Sequence, residues 1–189
     1  LVHRILERFI LEVLSDDVPA PDEAWSASHH AQLRAIAADE FAAVEARGLT
    51  GRQIFWGRDR TLLLRDLRLV LDRDSEWRAE TGARPIAAEL AFGLPGATAP
   101  AVGLELSDGR TIRFRGKADR VDQAEDGTLH VVDYKTGKVK DEKRLCEDDP
   151  VLGGSRLQLP VYGAAARLHA GDPAAPVVAE YWFVTSRED

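Results

Sequence analysis

A chain of 189 residues that is 44% hydrophobic is long enough to bury one substantial core without disulfide or metal staples. Its single cysteine, Cys146, excludes a disulfide within the chain, and its net charge of -7 argues against unaided gripping of a polyanion. No apolar run approaches about eighteen residues and no basic-plus-apolar leader opens the chain, so the expected compartment is the cytoplasm.

The spacing of Leu1, Val2, Ile5, Leu6, Phe9, Ile10 and Val13 predicts an amphipathic helix over 1–14, with His3 and Glu7 one turn apart beside its apolar stripe. Two more helices are predicted. One covers 28–47, from Leu33, Ile36, Ala37, Phe41 and Val44 and stopped by Gly48; the other covers 59–79, from Leu62, Leu63, Leu67, Val70, Leu71 and Trp77. Strands then dominate: 86–93, 102–106 and 111–121 about the Ser107-Asp108-Gly109 turn, 128–135, and an apolar 177–184. A helix over 155–169 crosses between the last two, with Pro160 confined to its early turns. The order makes a mixed α/β fold: a mostly antiparallel central sheet flanked by helices, one domain mainly helical over 1–80 with its chemistry in 85–189. No methionine occurs even at position 1, and a helix is already under way there, so a piece of a longer polypeptide is expected.

The chemistry concentrates in two adjacent strands. Along Val131-Val132-Asp133-Tyr134-Lys135, alternation puts Asp133 and Lys135 on one face. Whether Asp119 joins them depends on the turn. A two-residue Asp126-Gly127 hairpin would set Asp119 against Tyr134 and scatter the carboxylates. A three-residue loop, Glu125-Asp126-Gly127 with Gly127 left-handed, would set Asp119 against Asp133 and Lys117 against Lys135. Opposed carboxylates repel unless a cation lies between them, and oxygen-only ligands suit magnesium or manganese. A lysine beside them suits stabilising developing negative charge, as in phosphodiester hydrolysis. The plainer alternative is a surface hairpin with exposed cross-strand ion pairs, each worth less than about 1 kcal/mol.

Five elements in order then carry a resemblance: His3 ahead of Leu6-Glu7; Glu89 in a strand; Gly116 through Asp122, with Asp119-Arg120-Val121-Asp122; Asp133-Tyr134-Lys135-Thr136-Gly137; and Gln158-Leu159 followed by Tyr162. The chain resembles a RecB-type nuclease module of the PD-(D/E)xK superfamily, across nearly its whole length. The resemblance implies a restriction-endonuclease-like core and hydrolysis of DNA, by an exonuclease working with a helicase domain or subunit in repair or recombination. It implies metal binding by His3, Asp119, Asp133 and the backbone carbonyl of Tyr134, water activation by Lys135, support from Glu89, and a nucleic-acid-proximal pair, Gln158 and Tyr162. Relatives with an iron-sulfur cluster use four cysteines, so no cluster is expected beside Cys146. A catalytically inactive module that binds DNA or scaffolds a helicase is the alternative.

Several residues also admit a structural role. His3 flanks an apolar stripe, strand alternation would set Glu89 with Ala87 and Ala91 on a solvated face, and Gln158 and Tyr162 could pack at a helix-sheet boundary. His29, His30 and His130 are expected to be solvated. From Arg110 to Arg144, ten lysines and arginines face seven acidic residues, which makes this stretch, with Lys138 to Arg144 in it, the basic locale of the chain. Delivery of a nucleic-acid strand is expected from a partner domain.

Overall fold

A computed structural model describes residues 1–16, 18–137, 148–149 and 151–185. Its elements are α1 (Val2–Ser15), α2 (Ala27–Ala46), α3 (Gln53–Thr81), β1 (Ala83–Phe92), β2 (Val102–Glu105), β3 (Thr111–Phe114), β4 (Gly116–Ala124), β5 (Leu129–Lys135), α4 (Gln158–Ala170) and β6 (Val177–Phe183). Two compact units contain them. The first is built on Leu1–Arg84 with the stretches beginning at Lys135 and Phe183; the second is built on Pro85–Tyr134 with the stretch ending at Trp182. Among the described residues no helix is long and apolar enough to cross a membrane.

In the first unit α1 buries Val2, Ile5, Leu6, Phe9, Ile10 and Val13, six of the seven residues of its predicted stripe. Ser26 caps α2, and His29 completes the capping box where a glutamate or glutamine is usual. The His29 ring packs edge-on against Trp25 at 5.0 Å, and burial, with Arg78 and His30 nearby, pushes its imidazole below the ordinary histidine range. It is a half-buried cap rather than a solvated histidine. The third helix begins six residues before its predicted start at 59. Its extra turn exposes Ile54 and Phe55, so no apolar period announces it, and Trp56 and Arg60 tie it to Glu45 of α2 at 2.6 and 2.9 Å. Further along, buried Arg78 donates to the carbonyls of Pro19, Ala20 and Glu23 and lies over the Trp25 ring, whose Nε1 donates to Asp74 at 2.6 Å.

The second unit holds a four-stranded sheet in the order β1-β4-β5-β6 and a separate β2-β3 hairpin. β4 and β5 are antiparallel. β5 and β6 run parallel, since the Leu129 N–H donates to Pro176 and, at the far end, the Val184 N–H donates to Lys135; α4 is the crossover between them. One face of the sheet packs on α4 through Leu90, Val121, Leu129, Val131, Ala166 and Ala175. The approach is close: a Cβ on Gly163 would stand 2.9 Å from Val177.

The predicted strand over 111–121 is in fact two, in different sheets, divided at Arg115. The division follows from packing, because Gly93, at φ 65°, lets the segment after β1 lie against Ala101 and the Arg115 Cβ, while the Phe92 ring covers Gly116. The crossover helix starts at Gln158 rather than 155, which leaves Pro160 as its third residue, where a missing N–H costs nothing.

Candidate active site

The turn between β4 and β5 settles the register. Ala124 N–H donates to Thr128 at 2.9 Å, Gly127 N–H donates to Ala124 at 3.0 Å, and Gly127 stands at φ 87°, so Glu125-Asp126-Gly127 is a three-residue loop. Thr128 N–H donates to the Asp126 carboxylate, which bonding holds below the ordinary aspartate range. The pairs run from Gln123↔Leu129 through Val121↔Val131 to Arg120↔Val132, and the next step sets Asp119 opposite Asp133. Strand alternation then sorts the side chains. Asp119, Val121, Val131 and Asp133 share the face that α4 covers; Arg120, Asp122, His130, Val132 and Tyr134 share the other.

On the α4 face, Asp133 is only 2% exposed and accepts a hydrogen bond from Gln158 Nε2 at 2.7 Å. The same amide nitrogen donates to Tyr162 Oη at 3.1 Å, and Tyr181 Oη donates to Gln158 Oε1 at 3.3 Å. Gln158 thus has its nitrogen toward Asp133 and its oxygen toward Tyr181. Asp119 accepts the Tyr134 N–H at 2.8 Å, taking a peptide proton at the position where the ladder would pair Tyr134 with Ala118. Burial, first of all, pushes the Tyr162 hydroxyl above the ordinary tyrosine range; the negative charges of Asp133, Asp119 and Glu89 add to it, and the bond from Gln158 opposes it. Three carboxylates therefore act on one phenol.

Glu89 reaches that face by a break in the strand. It stands at φ 48° in the middle of β1, and the buried positions change parity across it, from Ala83 and Pro85 to Leu90 and Phe92. This is the signature of a β-bulge, with a left-handed non-glycine residue of the kind that collects at functional sites. Simple alternation, which would send Glu89 out with Ala87 and Ala91, does not hold. Instead its carboxylate meets Lys117 Nζ at 3.2 Å, with the lysine side chain 51% exposed and the glutamate side chain 21%.

Glu89, Asp119, Asp133, Gln158 and Tyr162 all belong to the second unit. His3 and Lys135 belong to the first: His3 is half-buried in the opening turn of α1, and Lys135 ends β5 two residues after Asp133, on the same side of the strand by alternation. Among the described residues no group of three or more His, Cys, Asp and Glu side chains is gathered closely enough to hold a metal ion. The opposed pair Asp119 and Asp133 presents hard oxygen donors, which fit a divalent cation better than a soft one. Tyr181 is the site neighbour that sequence inspection missed; its signal is the alternation Val177, Ala179, Tyr181, which carries a hydroxyl onto the α4 face of an apolar strand. His130, expected to be solvated, is buried on the face opposite, across from Asp122. The expected basic stretch Lys138 to Arg144 and Cys146 lie outside the described residues.

On that opposite face Arg120 and Asp122 form a buried two-pronged pair, Nε to Oδ2 at 2.7 Å and Nη2 to Oδ1 at 2.6 Å. The Arg120 guanidinium also lies 5.8 Å from the centre of the Trp182 ring, which in turn packs on Tyr134.

A family model described as the PD-(D/E)XK nuclease superfamily matches residues 1–189. Among curated proteins, the chain is similar to a subunit of the ATP-dependent helicase/deoxyribonuclease of Symbiobacterium thermophilum, 30% identical over 186 residues, which is 92% of this chain and 15% of that protein. The corresponding protein of Clostridium tetani, which carries the same name, is 47% identical over 82 residues, 42% of this chain and 7% of that protein. The one from Geobacillus thermodenitrificans is 31% identical over 117 residues, 58% and 10%. The chain thus spans 7 to 15% of the length of these relatives.

Proposed function

The chain belongs to the PD-(D/E)XK nuclease superfamily, and from that premise we propose that it is a divalent-metal-dependent deoxyribonuclease of RecB type, acting with a helicase in DNA repair or recombination. The observation that carries the proposal is the opposition of Asp119 and Asp133 across β4 and β5, with Gln158 bonded to one of them. The relatives' names, which join helicase to deoxyribonuclease, support DNA as substrate and a helicase as partner.

In this reading Asp119 and Asp133, with the Tyr134 carbonyl and His3, hold magnesium or manganese. When bound, the cation would polarise the scissile phosphate, lower the pKa of water and offset charge on the departing oxygen. Gln158 fixes the direction of Asp133 by donating to one carboxylate oxygen. The Tyr134 N–H does the same for Asp119. Lys135 Nζ stabilises negative charge at the phosphate or orients the attacking water. Glu89 adds negative charge that would favour a bound cation and keeps Lys117 beside it. Tyr162, whose hydroxyl burial pushes above the ordinary tyrosine range, offers an O–H near the nucleic-acid backbone.

A second reading, a catalytically inactive module that binds DNA or scaffolds a helicase, draws support from the lack of a three-member metal group among the described residues. The presence of both aspartates and Lys135 opposes it. Digestion of single- and double-stranded DNA with magnesium or manganese, beside Asp133→Ala and Lys135→Ala, separates the two. Metal-dependent loss of DNA by the parent alone is the expected result, and equal behaviour of all three proteins would sink the site. Exonuclease action predicts that linear single strands disappear while circular ones survive.

A further inference from the structure

The segment that runs from β3 into β4 carries a pattern that the proposed chemistry leaves unused. Burial alternates there without interruption: Arg113, Arg115 and Lys117 are exposed, Phe114 and Gly116 are half-buried, and Ala118 is fully buried. The alternation survives the change of sheet at Arg115, so three cations emerge on one side of a continuous extended segment. Successive members are about 6.7 Å apart along the backbone, and the row stops two residues short of Asp119.

The surroundings leave this row charged and open. Arg113 stands across from Gly103, which has no side chain to cover or neutralise it, and Glu105, across from Thr111 on the same face, makes no ion pair with it. Arg113 and Arg115 have no hydrogen-bond or ion-pair partner among the described residues. Asp108, the other acid of this hairpin, is held by Arg110 at 2.7 Å. Lys117 reaches Glu89 and is still half exposed.

We propose that Arg113, Arg115 and Lys117 form a single-file phosphate track that leads one strand of single-stranded DNA to Asp119 and Asp133. The proposal rests on the nuclease reading and adds the route by which the strand arrives. A row one residue wide can follow one backbone, whereas a duplex offers phosphates on two strands across a groove. Strand delivery is thereby assigned in part to this chain, despite its net charge of -7.

The test is binding of a labelled oligothymidylate, and of a duplex of equal length, over a salt series in EDTA. The protein is the full chain carrying Asp133→Asn, with and without Arg113→Ala and Arg115→Ala. Both changes keep Cβ, including the Arg115 Cβ that lies against Gly93, so folding should be preserved. The double change should flatten the slope of log affinity against log salt for the single strand by about 1.4, since each lost phosphate contact contributes about 0.7. In protein with Asp133 intact, it should raise KM for single-stranded DNA and leave kcat unaltered at saturation. Unchanged slope and affinity, in a chain that still digests DNA, would overturn the track alone. A loss as large for the duplex as for the single strand would overturn the single-strand assignment. A parent chain that neither binds nor digests DNA would take the track down together with the nuclease reading.

Discussion

Asp119 and Asp122 are three residues apart on β4, and the two faces of the sheet treat them differently. Asp122, 0% exposed, is matched by Arg120 on its own strand through two short bonds, and the pair is closed over by the Trp182 ring. Asp119 accepts a peptide N–H, and its cross-strand neighbour Asp133 accepts a carboxamide N–H. A guanidinium fork fixes a carboxylate and cancels its charge at once. Uncharged donors such as these fix a carboxylate's direction. β4 thereby carries a structural ion pair on one side and, on the other, one of the two opposed acids, and alternation alone keeps them apart.

The largest test of that contrast is to remove the cation from the structural face. Arg120→Ala should destabilise the protein by about 3–5 kcal/mol, because Asp122 is left buried with its charge. Replacing both partners at once, Arg120→Met with Asp122→Leu, should restore most of the loss, as read from urea denaturation midpoints. If the single change cost no more than a surface pair, the face would not be structural. The converse change on the other face is Asp133→Asn. It keeps the shape and an acceptor for Gln158, so the denaturation midpoint should hold or rise while metal-dependent digestion falls on the order of 10²–10³-fold. Undiminished digestion would erase the distinction between the faces.

Next in size is the loop that sets the register. Gly127 stands at φ 87°, so Gly127→Ala should cost about 1–2 kcal/mol, and Gly127→Asn less. If the hairpin answers the strain by shortening to a two-residue turn, Asp119 moves to the Arg120 face and digestion should fall far more than stability does. Parallel measurement of the two separates plain strain from a slipped register.

Much of this was open to inspection of the sequence, for reasons that differ by residue. The apolar stripe of α1 follows from spacing, whereas the convergence of Asp119 with Asp133 is one of two registers that Asp126-Gly127 allows, and the three-residue loop selects it. The Glu89 bulge was closed to it, because no glycine or proline marks the break and the parity change lies in weakly informative alanines. The first turn of α3 was closed as well, since its apolar residues face outward and its ties run through Glu45. His130 reads as a surface residue because local pattern cannot register burial supplied from distant segments. Tyr181 falls between these cases: its strand was evident, but its partner Gln158 lies in another element.

That partnership gives the smallest expected effect. A glutamine beside a carboxylate must present its nitrogen, and the bond from Tyr181 Oη to Gln158 Oε1 holds the amide in that orientation. Tyr181→Phe removes the hydroxyl while keeping the ring, so the amide can turn and set its own oxygen against Asp133. A neutral hydrogen bond of this kind is worth about 0.5–1.5 kcal/mol, which corresponds to roughly 2- to 12-fold in the metal concentration for half-maximal digestion. Loss of packing alone would shift the denaturation midpoint and leave that metal dependence where it was. The decisive comparison is made in a Gln158→Ala background, where the same change at Tyr181 should have almost no further effect, since the residue it acts through is gone. Additive losses there would mean that Tyr181 works by some other route, and the hydroxyl would drop out of the account of the poised face.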